Sequence, residues 1–256
     1  MKLLIYLSYL GTHYCGYQVQ ANGDSIQGRL NEAAEALFGY PCDIVGCSRT
    51  DSGVHANHFC ASVTKHGESD LLTDIPIDRI PQAFSAHLPD DIRVFDAEWV
   101  ASDFHARYDV VEKEYLYRIY NHRVMNPFEI DRAYHFPKEI DAAAFERMQT
   151  AAQSFLGTHD FSAFMAQGSK VTDTVRTVTK SEFSREENLI LYRIAANGFL
   201  YNMVRIIVGT LLDVALGKIE PNEIPRIIKS LDRKQAGSTA PACGLYLNRV
   251  VYPFSK

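Results

Sequence analysis

Features that mark a secreted, disulfide-stabilised chain are scarce in this sequence of 256 residues. Its five cysteines, at positions 15, 42, 47, 60 and 243, are odd in number and include no pair with CxxC spacing. Secreted disulfide frameworks usually use even numbers of cysteines at regular spacings. We therefore expect reduced thiols, most of them buried as small apolar side chains, and a cytoplasmic location.

Long apolar runs are also missing. The stretch over 199–212 is too short for a membrane helix and contains Arg205. The apolar start, residues 1–7, stops at Ser8 without a small-residue cleavage site, so a β-strand fits better than a signal peptide. We expect no membrane partner.

An excess of positive charge is the third missing feature. The formal net charge is −5 and the pI is near 6.0, which gives no global attraction to phosphate. A nucleic-acid partner would have to bind a local basic surface or one built by two subunits. The charge balance argues against a promiscuous RNA binder and does not exclude a site-specific one.

What is present is an ordinary folded composition, with 46% hydrophobic and 22% charged residues. Each half of the chain reads as β-α-β-β-α-β, which predicts an α+β fold of two ferredoxin-like units. We expect antiparallel sheets joined around a central active-site cleft, with helices on one face. The predicted domains are 1–102 and 103–256. Predicted helices cover about 25–38, 141–156, 200–216 and 223–231, with a helical piece at 76–87.

One carboxylate occupies a position suited to catalysis. Asp51 lies at a turn between two β-type runs, 42–47 and 54–64, with Arg49 before it and Gly53 after it. Strands on both sides would hold the carboxylate still, as a nucleophile requires. A turn aspartate that bonds its own backbone is the alternative, and it would be preferred for an isolated Asp-x-Gly.

Arg205 is the only charged residue of the run 199–212, at the edge of an apolar helical stripe. A buried arginine costs several kcal/mol unless a carboxylate meets it. No acidic residue lies one helical turn away, so we expect a partner distant in sequence, with Asp51 as the candidate. The alternative is an arginine that extends to solvent from the helix edge.

The segments that carry these residues resemble those of the tRNA pseudouridine synthase A family. Residues 49–56, RTDSGVHA, are similar to the family signature in which the aspartate is catalytic. Four further segments resemble family elements in the same order: 9–20, 157–164, 199–205 and 242–247. Two departures are Tyr17, where the family usually has tryptophan, and Glu114, where it often has a basic residue.

The resemblance implies isomerisation of uridine to pseudouridine at positions 38, 39 and 40 of the tRNA anticodon stem-loop, by a homodimer. Asp51 would be the nucleophile and Arg205 the active-site arginine. Tyr115, at the family's spacing after residues 104–107, would stack on the extruded base and is a candidate proton acceptor. Arg49, His55, Arg107 and Leu245 would also bind substrate. Lys113, Arg118 and Arg123 are further candidates for phosphate contacts. The reaction is redox-neutral, so no cofactor or metal is expected.

Three alternatives stay open at this point. His55 and His58 suggest a metal hydrolase, but residues three apart on a strand face opposite ways. A non-catalytic RNA-binding protein on the same fold would agree with the acidic charge. A synthase with a different RNA target would keep the same catalytic residues, because target choice depends on surface shape.

Overall fold

The computed structural model describes residues 1–21, 23–169 and 171–254. The chain divides into two compact units. The N-terminal unit is formed by Met1–Val111 together with the chain from Tyr246 onward, and the C-terminal unit is Glu112–Leu245. The predicted division instead ended the first domain at residue 102 and left the last strand in the second.

The N-terminal unit contains a mixed sheet and two helices. Its strands are β1 (Lys2–Tyr9), β2 (Cys42–Gly46), β3 (His55–Lys65), β4 (Ile92–Val100) and the last strand of the chain, β10 (Leu245–Val251). β1 lies between β3 and β4, and both pairings are antiparallel. β2 pairs antiparallel with β3, whereas β10 pairs parallel with the start of β3, Tyr246 opposite His55. This parallel pairing explains why the end of the chain belongs to the first unit.

The helices of this unit are α1 (Ile26–Phe38) and α2 (Ile80–Ser85). α1 begins where the Ser25 side chain accepts a hydrogen bond from the Gly28 N–H, and it ends at Gly39, with φ 78°. Ser25 is therefore the N-cap of this helix and Gly39 its C-cap. Ile26, Leu30 and Ala34 form the buried face of α1, while Leu37 is only half-buried.

The C-terminal unit has five strands and three helices among its described residues. They are β5 (Glu112–Tyr120), β6 (Tyr134–His135), α3 (Ala142–Gln153), β7 (Gly157–Asp160), β8 (Val175–Glu186), β9 (Leu189–Ala196), α4 (Met203–Ala215) and α5 (Ile224–Ser230). β5, β9, β8 and β7 form an antiparallel sheet in that order, and β6 pairs parallel with β5. The short strands β6 and β7 were not predicted.

The predicted fold class is confirmed. The first half follows β1-α1-β2-β3-α2-β4, and the second contains β5, α3, β8, β9, α4 and β10 in that order, with β6, β7 and α5 added. α4 is buried along most of its length, including Val204, Ile207 and Val208. Among the described residues no helix combines the length and the apolar character needed to cross a bilayer.

Candidate active site

Asp51 lies in the loop that joins β2 to β3, as predicted from sequence, and it is half-buried. The loop closes as a tight turn in which the Val54 N–H donates to the Asp51 carbonyl over 3.1 Å. Gly53 has φ 76°, a conformation that favours glycine. The position of Asp51 is therefore set by backbone bonding as well as by the two strands.

A second segment, residues 9–17, holds this loop. The Tyr17 N–H donates to the Thr50 carbonyl over 3.1 Å, and the Tyr9 hydroxyl bonds the Thr50 hydroxyl at 2.8 Å. Gly16, with φ 101°, lies so close that a Cβ there would be 2.6 Å from the Thr50 carbonyl oxygen. The conformation of the Asp51 loop thus depends on a glycine that permits backbone-to-backbone approach.

His55 follows the loop at the first position of β3 and is fully buried. Its Nδ1 accepts a hydrogen bond from the Gly11 N–H over 2.9 Å, so Nδ1 carries no proton in this arrangement. The ring stacks on Tyr246 with centroids 4.6 Å apart. His55 therefore ties the 9–17 segment to the sheet, and its predicted contact with substrate stays a prediction.

Arg49 and Arg107 are brought to one cavity of about 120 Å³ in the N-terminal unit. Tyr17, Ile44 and Gly46 also line the cavity. Arg107 lies in a turn whose Ala106 carbonyl accepts from the Tyr252 hydroxyl over 2.6 Å. Both arginines are exposed. These two predicted substrate-binding residues therefore line the same cavity beside the Asp51 loop, where solvent reaches both side chains.

Tyr115 is on β5 of the C-terminal unit, opposite Ile194 of β9. Its side chain is buried, and Phe199 meets the ring edge-on with centroids 5.0 Å apart. Tyr117, two residues on, donates its hydroxyl hydrogen to the Pro241 carbonyl over 2.7 Å, and burial raises its pKa well above the usual value. Tyr117 is therefore held as a neutral packing residue, whereas a substrate role for Tyr115 stays a prediction.

Arg205 lies in the first turn of α4 and is half-buried. Its Nε donates to the Ala240 carbonyl over 2.7 Å, and Nη1 donates to Oδ1 of Asn202 over 2.8 Å. The Ala240 N–H in turn donates to the Arg205 carbonyl over 3.0 Å. These contacts fix the plane of the guanidinium within the C-terminal unit. The expected pairing with Asp51 stays a prediction.

The segment 233–240, which supplies the Ala240 carbonyl, is packed tightly on α4. A Cβ on Gly209 would lie 1.7 Å from the Ser238 carbonyl oxygen, and the Gly237 N–H donates to the Thr210 hydroxyl over 2.9 Å. Arg233 donates to the carbonyls of Ala236 and Gly237 from inside the segment. A single rigid loop thus presents the carbonyl that holds Arg205.

Leu245 is the first residue of β10 and is buried. It follows Gly244, where a Cβ would lie 2.7 Å from both the Arg118 carbonyl oxygen and the Tyr117 ring. Only glycine fits this approach, which sets the path of the chain into Leu245. Its predicted contact with substrate stays a prediction.

Two charged residues near Tyr115 take part in ion pairs. Arg118 donates from Nη2 to Glu129 over 2.8 Å, with both side chains largely buried, and Glu114 accepts from Lys180 over 3.0 Å. The charge of Arg118 is therefore already met by a carboxylate, which argues against its predicted phosphate contact. Lys113 and Arg123 keep that role as a prediction.

The side chains of His55 and His58 contact different groups, as expected for residues three positions apart on a strand. His55 bonds Gly11, whereas His58 approaches Tyr6, with ring centroids 5.3 Å apart, and the Cys60 thiol, with Nδ1 to Sγ 3.9 Å. Among the described residues no three His, Cys, Asp or Glu side chains are grouped in a way that would hold a metal ion.

Sequence reasoning missed Asn202, Gly16 and the 233–240 segment. Asn202 has φ 58°, a left-handed conformation that asparagine tolerates better than most residues. In the sequence, the one sign of this role is that Asn202 lies three residues before Arg205, and such a spacing is too common to identify a hydrogen bond. The close approaches of Gly16 and Gly209 are tertiary and have no local pattern.

Comparison with known proteins gives one consistent result. Residues 5–109 and 151–253 match the family model described as tRNA pseudouridine synthase. A protein of Acetivibrio thermocellus named tRNA pseudouridine synthase A is 47% identical over 253 residues, covering 98% of this chain and 99% of the relative. Proteins of the same name from Thermoanaerobacter sp. and Bacillus licheniformis are 43% and 44% identical, again over 98% of this chain and 99% of each relative. The matched ranges contain Asp51 and Arg205.

Proposed function

The chain belongs to the tRNA pseudouridine synthase family and is an isomerase; on this basis we propose that it converts uridine to pseudouridine at positions 38, 39 and 40 of the tRNA anticodon stem-loop. The proposal depends chiefly on the geometry of the loop that carries Asp51. A half-buried carboxylate stands at a turn whose backbone is bonded by residues 9–17, inside a range that matches the family. Such a rigid carboxylate suits nucleophilic attack.

In the proposed reaction the target uridine leaves the helical stack, so that the Asp51 carboxylate can attack the nucleotide. The C1′–N1 bond breaks, the base turns, C5 bonds to C1′, and the C5 proton leaves. Arg205 would stabilise the negative charge of Asp51, and Tyr115 would stack on the base and accept the departing proton. The reaction is an isomerisation, so atoms and electrons balance without a co-reactant.

The proposal also includes a homodimer that acts in the cytoplasm. The five cysteines form no disulfide, which supports a reducing compartment. Each subunit carries an excess of negative charge, −5, so an RNA-binding surface needs a local group of basic residues, which two subunits together would supply. Sedimentation equilibrium of the protein, alone and with tRNA, measures the oligomeric state directly.

The decisive experiment is tritium release from an unmodified tRNA transcript that carries 5-tritiated uridine, with EDTA present. Wild type is expected to release tritium, and Asp51→Asn is expected to fall to background. Asp74→Asn is the matched control, since Asp74 is an exposed carboxylate of the same unit. It should retain wild-type release.

Transcripts with uridine replaced by cytidine at positions 38, 39 and 40, singly and together, test the target. Release should disappear only when all uridines among these positions are removed. Wild type that binds tRNA without releasing tritium would identify a binding protein instead. Release that survives the triple replacement would identify a synthase with another target.

A further inference from the structure

Both chain neighbours of Asp51 are bonded to the N-terminal segment that holds its loop. On one side, the Ser52 hydroxyl donates to the Tyr14 carbonyl over 3.1 Å. On the other side, the Thr50 carbonyl accepts from the Tyr17 N–H over 3.1 Å. The backbone before and after Asp51 is therefore fixed by hydrogen bonds to a single segment of the chain.

Thr50 makes an additional hydrogen bond through its side chain. Its hydroxyl bonds the Tyr9 hydroxyl at 2.8 Å, and both side chains are buried. Tyr9 is the last residue of β1, a strand that lies between β3 and β4 in the sheet. The bond therefore joins the residue before Asp51 to an inner strand. Because it holds Thr50 at a second point, it opposes rotation of the peptide unit that leads into Asp51.

A buried pair of hydroxyls adds little to the stability of a core. Each hydroxyl gives up its hydrogen bonds to water on burial, so the net contribution of the bond between them is small. Replacement of both partners by apolar groups of the same shape is often nearly neutral, whereas removal of one partner leaves the other unsatisfied. Phenylalanine and valine have nearly the shapes of tyrosine and threonine. What the hydroxyl pair provides beyond such an apolar pair is direction, because a hydrogen bond depends on angle and hydrophobic contact does not.

We propose that Tyr9 and Thr50 are positioning residues for the attack by Asp51, an inference that rests on the proposed function. Their hydrogen bond fixes the Thr50 peptide unit and thereby the direction in which the Asp51 carboxylate leaves the loop. In this role neither hydroxyl takes part in a covalent step. Loss of the bond misaligns the nucleophile, so the rate falls by roughly tenfold to a hundredfold while the affinity for tRNA is unchanged.

The test compares Tyr9→Phe, Thr50→Val and the double variant by kcat and KM for tritium release from the unmodified transcript, and by urea denaturation. Each single variant should lower kcat by about tenfold or more with little change in KM. Each should also be less stable than wild type, because one buried hydroxyl loses its partner. The double variant should recover much of the lost stability, since both hydroxyls are gone, yet its kcat should stay as low as in the single variants. The double variant thus separates positioning from stability.

Thr50→Ser keeps the hydroxyl and should restore most of the kcat that Thr50→Val loses. Thr64→Val is the matched control, since Thr64 is a buried threonine of β3 in the same unit, and it should leave kcat unchanged. A kcat that recovers together with stability in the double variant would overturn the positioning role, as would a wild-type kcat in both single variants. Wild type that releases no tritium would contradict the proposed function itself, so the two failures are seen separately.

Discussion

Asn202 accepts a hydrogen bond on Oδ1 from Nη1 of Arg205, over 2.8 Å, while its own backbone is left-handed with φ 58°. The same residue therefore ends the preceding loop, begins α4 and orients the guanidinium three positions later. With the Ala240 carbonyl on Nε, two acceptors define the plane of Arg205. We infer that Asn202 is a positioning residue for the proposed reaction.

Asn202→Gly and Asn202→Ala separate the two roles of this residue. Both remove the acceptor, but only alanine strains the left-handed backbone, by roughly 1 kcal/mol. We expect kcat for tritium release to fall about tenfold in both variants with little change in KM, because a misaligned group costs rate rather than binding. The melting temperature should fall only in the alanine variant.

The test is repeated in an Arg205→Lys background. Lysine cannot make both of the hydrogen bonds that Arg205 makes, to the Ala240 carbonyl and to Asn202. If Asn202 acts through Arg205, adding Asn202→Gly to Arg205→Lys should cause little further loss of kcat. Losses that multiply, or a glycine variant with wild-type kcat, would leave Asn202 with a structural role alone.

Gly16→Ala should damage the Asp51 loop, because a Cβ would lie 2.6 Å from the Thr50 carbonyl oxygen. Gly67→Ala is the matched control: Gly67 also has a positive φ, 76°, but its Cβ would meet nothing within 4 Å. Both variants should lose roughly 1 kcal/mol of stability from backbone strain, and Gly16→Ala should lose more because its Cβ meets backbone. Only Gly16→Ala should also lose activity, about a hundredfold in kcat, through displacement of the carboxylate. Equal activity in the two variants would contradict the proposal that the conformation of the Asp51 loop depends on Gly16.

The sequence predicts the regular elements of this fold well. The residue pattern predicts strands at 92–100 and 189–196, and these are the bounds of β4 (Ile92–Val100) and β9 (Leu189–Ala196), because alternation over eight or nine residues is a strong signal. β6 and β7 span two and four residues, too few for any periodicity, and were missed. The predicted start of α4 was three residues early, because Leu200, Tyr201 and Asn202 continue the apolar helical pattern while Asn202 adopts a left-handed backbone.

Only those parts of the candidate site that are built by residues close together in sequence could be predicted. The turn that carries Asp51 follows from its flanking strands and Gly53. By contrast, the sequence does not predict that Arg49 and Arg107 line one cavity. They lie 58 positions apart in two different loops, and no sequence pattern connects two such loops. Burial of His55 depends on Gly11 and on Tyr246 from the far end of the chain. Such contacts are properties of the tertiary structure.

Tyr17→Phe should stabilise the protein. The Tyr17 hydroxyl is buried without a hydrogen-bond partner among the described residues, and burial raises its pKa far above the usual value, so it stays protonated. Removing an unsatisfied hydroxyl should raise the free energy of unfolding by about 1 kcal/mol, or the melting temperature by about 2–4 °C. Tyr9→Phe is the control, since that hydroxyl bonds Thr50, and it should lower stability. A destabilised Tyr17→Phe would reveal a partner for the hydroxyl.

His58 should make stability depend on pH on the acid side of neutrality. Burial lowers its pKa, and the charge of Arg249 acts in the same direction, so the folded protein keeps the imidazole neutral. The unfolded chain binds a proton near pH 6.5, so it binds more protons than the folded state just below that pH. The contribution is therefore fully present above about pH 6.5 and is lost as the pH falls towards the lower pKa of the folded state. His58→Gln should flatten the fall in unfolding free energy between about pH 7 and pH 5, measured by urea denaturation. An unchanged slope in His58→Gln would mean that the half-buried imidazole takes up its proton without loss of stability.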